Sequence, residues 1–305
     1  MKLYKFEFSA MASPCRLLFY GADETLAGMA AADAIAEVSR IERKYSRYRN
    51  DSVLAEINRA AEAGAGIEVD EETGALLDFA FKAYVRSDGL FDISSGLLRR
   101  AWDFQKAELP SRETLAPLLE RVGLSMVIWQ TPALHFTRPG MELDFGGIGK
   151  EYAVDRAADV LRSYGIRHGL VDLGGDIEIL GPQADGSPWR IGIRHPRESS
   201  RALATLELQQ GALATSGDYE RYIEVDGIRY CHILDPRTGM PCRGLMAASV
   251  VAAHCLLAGA LATIAMLRGR DAPEWFETRA EACLFVDEHG KLGGSLAVQP
   301  SCTLS

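Results

Sequence analysis

An α+β fold with mainly antiparallel strands and flanking helices is what this 305-residue sequence predicts. Three observations carry that expectation. After Gly165 the strand-like segments alternate apolar and polar residues in period two and are joined by short turns, as antiparallel strands are. Before that point, long runs repeat their apolar residues at helical spacing. The glycines at 146, 147 and 149 follow neither the G-x-G-x-x-G spacing of a dinucleotide-binding parallel sheet nor a phosphate-loop motif, so no doubly wound sheet is expected. At 48% hydrophobic composition the chain can bury a substantial core, as one large domain or two intimately joined lobes.

The elements follow in order. Leu3, Tyr4, Phe6 and Phe8 mark a strand that leads through Met11-Ala12-Ser13-Pro14 into a second strand, Cys15 to Tyr20. Asp23 to Tyr45 reads as a helix with Leu26, Met29, Ala30, Ile35, Val38 and Ile41 on its apolar face. A helix opening at Asp51 or Ser52 comes next, then an amphipathic one from Glu71 to Ser87 that closes on an Asp88-Gly89 turn. Leu90 to Leu98 is a buried, strand-like entry into a helix, with Asp92 either a cap or a ligand. Ser111 opens a helix to Arg121, and Met126–Trp129 with Ala133–Phe136 form a hairpin. Tyr152, Ala153, Ala157, Val160 and Leu161 recur at helical spacing, and Trp189–Ile193 and Ala202–Leu208 are strands. Ala247 to Leu267 is broken by Ser249, His254 and Gly259, so it is a strand and a buried helix and no membrane span.

Composition removes whole classes of function. A net charge of -9 without a Lys/Arg run argues against nucleic acid. Cysteines at 15, 231, 242, 255, 283 and 302 contain no C-x-x-C pair, so reduced, mostly buried thiols are expected and no zinc site or disulfide framework. Lys2, Lys5 and Glu7 interrupt what a signal peptide would keep apolar, which makes a cytoplasmic location the expectation.

Polar residues concentrate in a few places. Asp144 to Lys150 and Asp172 to Asp176 flank a helical run. Bare glycine backbone at a helix N-terminus suits a phosphate, with Asp144 as an acceptor and Lys150 as a cation; tight strand-to-helix turns explain the same glycines equally well. Tyr45-Ser46-Arg47-Tyr48 offers aromatics beside cations for a flat heterocycle, or simply a basic loop before a capped helix. Ser216-Gly217-Asp218 and Asp235-Pro236-Arg237-Thr238-Gly239 are polar turns, and His232 beside the second is either a core histidine or a general base or phosphate donor. No G-x-S-x-G elbow makes these a hydrolase.

From about Met11 to Leu267 these segments, taken in order, resemble the ApbE-type FAD:protein FMN transferases. The motifs are Tyr45–Tyr48 with Asp51-Ser52, Phe91-Asp92, Asp144 to Asp155, Val171 to Asp176, Ala214 to Tyr219, and His232 to Gly239. The resemblance implies a single domain over residues 1–305, built as two lobes with a flavin cleft between them. It implies a transferase that splits the FAD pyrophosphate with Mg²⁺, attaches FMN to a Ser or Thr hydroxyl of a target flavoprotein and releases AMP. By motif, Met11, Tyr48, Leu90, Phe91, Asp92, Asp144, Lys150 and Ile233 would contact FAD, and His232 would be catalytic.

The resemblance also implies a metal held by the Gly147 carbonyl and by an Asp and a Thr four residues apart on a helix. Thr263 is present, but Gly259 stands where the Asp is expected. Hard cations prefer oxygen ligands and usually a carboxylate, and no nearby glycine-to-acid substitution in the motifs is expected to restore it. Two functions of different class follow: a working transferase that recruits the metal through another carboxylate, Asp176 for example, or through water, or an FAD-binding homologue with weak or lost catalysis. On this reading Gly259→Asp strengthens metal binding at little cost, provided the pocket has not closed over the missing side chain.

Overall fold

The computed structural model describes residues 1–198, 200–297 and 302–304. A hairpin of β1 (Lys2–Ala10) and β2 (Ser13–Gly21) leads into helix α1 (Glu24–Lys44), then α2 (Val53–Ala63), β3 (Gly66–Glu68) and α3 (Glu71–Arg86). A 3₁₀ turn over Ile93–Arg100 precedes α4 (Arg112–Leu119), β4 (Val127–Gln130) and β5 (Ala133–Phe136). Helix α5 (Gly149–Ser163) enters the strand-rich half: β6 (Gly169–Leu173), β7 (Asp176–Gly181), β8 (Trp189–Arg194), β9 (Ala202–Leu208), β10 (Gly211–Gly217), β11 (Tyr222–Val225), β12 (Ile228–Cys231) and β13 (Leu245–Ala252). Helices α6 (Cys255–Arg268) and α7 (Ala272–Glu277), then β14 (Ala282–Asp287), β15 (Leu292–Gly293) and β16 (Cys302–Leu304), complete the described chain.

Eight strands form one sheet in the order β1-β2-β6-β7-β10-β13-β14-β15, antiparallel at every pairing. The period-two alternation therefore carried the right information. Val171, Leu173, Ala212 and Ala214 point into a core shared with α1, α5 and α6, while Leu170, Ile177, Ile179 and Leu213 point the other way. On that second face they meet Trp189, Ile191, Ile193, Leu206 and Leu208 from β8 and β9. The smaller sheet β16-β9-β8 contains a parallel pair, β9 with β16, and β3-β5-β4 form a third sheet.

Helix starts obey local chemistry. Asp23, Ser52, Asp70 and Ser111 each accept a bond from the backbone N–H three residues on, which satisfies one orphan donor of α1, α2, α3 and α4. The apolar face of α1 differs from expectation in one respect. Its buried stripe is Ala27, Ala30, Ala31, Ala34, Val38 and Ile41, whereas Leu26 and Met29 are 47% and 54% exposed. Alanines let α1 lie close on α5, so the small residues set the buried face and the larger ones beside them turn outward. The segment before Arg100 is likewise buried without pairing as a strand.

The five cysteines whose side chains are described are free thiols. Among the described residues no helix is long and apolar enough to cross a membrane.

Candidate functional site

The site is organised by the loop Asp144–Ile148 and the first turn of α5. Asp144 Oδ1 accepts the Gly146 N–H at 2.9 Å, which folds the glycines into a tight turn. Its Oδ2 lies 2.6 Å from Arg47 Nη1 and 3.2 Å from Arg99 Nε, so the carboxylate is an anchor for two arginines as well as the acceptor expected. Gly96 has to be glycine: a Cβ there would fall 2.3 Å from the Asp144 Cβ. Phe91 packs against Gly147, where a Cβ would lie 3.6 Å from its ring, and Gly147 is partly exposed.

Arg47 links this anchor to Tyr48. Its Nη2 donates to the Tyr48 hydroxyl at 2.8 Å and its guanidinium lies 4.9 Å from the ring centroid. Tyr48 remains 79% exposed, a flat face backed by a cation. Tyr45, by contrast, is buried and shares a hydrogen bond with Thr73.

Lys150, on the first turn of α5, holds Asp176 with Nζ 2.7 Å from Oδ2. Burial works against its charge, but Asp176 and Glu151 beside it raise its pKa above the ordinary lysine value. Asp176 is 3% exposed, and burial pushes its pKa up. The β1–β2 turn closes this flank. Met11 and Ala12 both take positive φ, 51° and 57°, as a two-residue hairpin turn requires, and the Met11 N–H is fixed to Glu42 Oε1 at 2.7 Å. Beyond Lys150, Thr263 of α6 shares a 3.0 Å hydrogen bond with Ser216 of β10.

Glu151 is the residue sequence reading missed. It is buried, and its Oε2 has no hydrogen-bond partner. Burial, then the charge of Asp176, push its pKa up to about 8. It lies against Gly259, where a Cβ would fall 2.4 Å from its Cγ. That contact meets the exception attached to the Gly259→Asp expectation: the space beside 259 is filled by a carboxylate from the neighbouring helix, and an aspartate there has no room. Asp155, one turn further along α5, fixes the register by accepting the Cys255 and Leu256 N–H groups at 2.7 and 3.0 Å, capping α6. A glycine facing an acid across two helices has no local signature, because an acid in a first helical turn reads as dipole compensation.

His232 follows β12. Its backbone N–H and its Nδ1 both meet the Arg221 carbonyl, at 3.0 and 3.2 Å. A carbonyl only accepts, so Nδ1 carries the proton and Nε2 keeps its lone pair. Nearby protein atoms hold the ring's pKa below the ordinary histidine value, and the charges of Arg221 and Lys150 push the same way, although the residue is exposed at the surface. Arg221 and Arg99 also act on Tyr48, which places the histidine, the tyrosine and the glycine loop around one region. Ile233 is half-buried, its carbonyl accepting the Cys242 N–H at 2.9 Å.

Leu90 and Phe91 are buried and serve as walls. Asp92 is a cap: Oδ1 accepts from the Ser94 N–H and hydroxyl at 2.8 and 2.6 Å, and Oδ2 from the Leu124 N–H at 3.0 Å. Three of the carboxylate's acceptor positions are thus used within the protein. Asp92→Ala is expected to lower stability by roughly 2–4 kcal/mol, because it orphans three buried donors; urea denaturation measures it.

Comparison with known proteins bears on this arrangement. The ApbE family model matches residues 11–285. The chain is 32% identical over 240 residues to an FAD:protein FMN transferase of Vibrio cholerae, a match covering 77% of this chain and 72% of the relative. An FAD:protein FMN transferase of Rhodobacter capsulatus is 35% identical over 72% of this chain, but over only 42% of its own longer sequence. Among solved structures, the ApbE protein of Thermotoga maritima superposes with a TM-score of 0.89 at 32% identity, with 97% of each chain covered. The flavin transferase ApbE of Vibrio cholerae gives 0.85 at 27% identity, over 97% of this chain and 98% of its own.

Proposed function

The chain belongs to the ApbE family, and from that premise we infer that it is an FAD:protein FMN transferase. FAD is its substrate and a flavoprotein its acceptor. The observation that supports the reading most directly is the grouping of exposed Tyr48, the Asp144–Lys150 loop and a neutral His232.

In this reading FAD lies in the cleft bounded by Tyr48, the glycine loop and the turn after His232, between two lobes of one domain. The arginine-backed face of Tyr48 takes a flat ring. The N–H groups at the start of α5 and the Lys150 ammonium face the pyrophosphate. A Ser or Thr hydroxyl of the acceptor attacks the FMN phosphorus, the P–O bond to the departing phosphate breaks with its electron pair, and AMP leaves. His232 Nε2 takes the hydroxyl proton, its tautomer fixed by the Nδ1–H bond to the Arg221 carbonyl. A divalent cation, Mg²⁺ by preference, supplies neutralisation of phosphoryl charge. The Gly147 carbonyl and the Thr263 hydroxyl are the donors for it carried over from the family pattern.

Incubating the protein with FAD, Mg²⁺ and candidate acceptors should add an FMN-sized mass to a Ser/Thr peptide. Absence of adduct from every acceptor tried, together with no saturable FAD binding, would sink the reading. A narrower prediction concerns the stacking face. Tyr48→Ala should weaken FAD binding about tenfold, on the scale of a desolvated aromatic and cation contact, as read by flavin fluorescence titration.

A further inference from the structure

Two buried carboxylates, Asp176 and Glu151, lie beside the partly exposed Lys150 at the head of α5. Asp176 Oδ2 is paired with Lys150 Nζ, and its Oδ1 receives the Thr215 N–H at 3.3 Å. Glu151, 9% exposed, has no such partner at Oε2. The Lys150 ammonium is paired with Asp176, and among the described residues no cation lies within ion-pair distance of Glu151. Beside it is a notch with no space for a side chain, since a Cβ on Gly259 would fall 2.4 Å from Glu151 Cγ. Gly259 leaves the room into which Glu151 reaches, and Thr263 stands one turn further along the same helix face.

We propose that Glu151 is the carboxylate ligand of this protein's divalent cation, reaching from α5 into the space that Gly259 leaves on α6. The proposal rests on the transferase reading for the identity of the ion's task, and on this chain's own geometry for the ligand. Each feature needs the other. A side chain at 259 would evict Glu151, and a residue smaller than glutamate at 151 would leave the notch empty. The Asp155 cap holds the two helices in the register that keeps 151 opposite 259. Carboxylate supply has thus moved from one helix to the next while the ion's position beside Thr263 is retained.

The test is Mn²⁺ titration of flavin-free protein, read by the electron paramagnetic resonance signal of the free ion, with Mg²⁺-induced shifts in melting temperature as a second readout. Glu151→Gln keeps the side chain's shape, and should weaken Mn²⁺ binding at least about tenfold and abolish the Mg²⁺ shift. The swap Glu151→Gly with Gly259→Asp should return both. Wild-type Mn²⁺ affinity in Glu151→Gln would overturn the assignment. A folded double variant that binds no better than Glu151→Gln would overturn the relocation from α6 to α5. FAD titration of the same samples separates the two levels. Wild-type protein that binds and transfers flavin while Glu151→Gln keeps its Mn²⁺ refutes the ligand alone. Loss of Mn²⁺ in Glu151→Gln, in a protein that neither binds nor transfers flavin, refutes the transferase reading and keeps the ion site.

Discussion

Replacing His232 with asparagine is expected to lower kcat/KM for FMN transfer by about 10²–10⁴-fold, the span a positioned general base contributes. The asparagine amide can still donate to the Arg221 carbonyl, so the turn keeps its shape and the FAD dissociation constant should stay within about threefold. The pH profile tells a base from a prop. His232 must be neutral to accept a proton, and its pKa lies below the ordinary value because the ring is crowded by protein and faces Arg221 and Lys150. Wild-type activity should therefore persist at neutral pH and fall as the pH drops through that depressed value. The asparagine variant, having nothing to protonate, should lose that limb. An unchanged acid limb in the variant would assign the titration to another group.

The second large effect is on stability. Gly259→Asp on its own should destabilise the fold by roughly 3 kcal/mol or more, because it adds both overpacking and a further buried carboxylate. Its Cβ would lie 2.4 Å from Glu151 Cγ and 2.9 Å from the Glu151 carboxyl carbon, so one helix must shift or the acid must leave. Adding Glu151→Gly should restore most of the loss. Chemical denaturation of both variants and the wild type without metal measures it; a Gly259→Asp single variant as stable as wild type would mean that Glu151 swings away at no cost.

These two sites mark how far the sequence could be read. His232 was legible because it follows a strand and precedes a polar turn, and the motif around it resembles a family. The helices were legible from caps such as Ser52 and Ser111, whose bonds are local. The antiparallel sheet was legible from alternation. Leu26 and Met29 were placed inward because hydrophobicity favours larger residues, whereas close packing of α1 on α5 favours alanine. Asp92 was ambiguous since a cap and a ligand have the same side chain, and the bonds to Ser94 and Leu124 show the cap. Glu151 was invisible because its partner lies on a distant helix and is a glycine, which leaves no side chain to signal the contact.

The pairing of β2 with β6 has a kinetic consequence. Arg16 and Asp172, joined across those strands at 2.8 Å, are 156 residues apart in the chain. A loop of that length must close before the β1–β2 turn can meet the strand that carries the Asp172–Asp176 segment, and such closures come late and slowly in folding. Lys150, Asp176 and the Met11 turn therefore come together only when the central sheet does. During synthesis at a ribosome, the first half of the chain would emerge before the strands that carry Asp172 and Asp176 exist to receive it. The Lys150–Asp176 pair and the Met11 turn would then come together in one step, after β7 has left the exit tunnel.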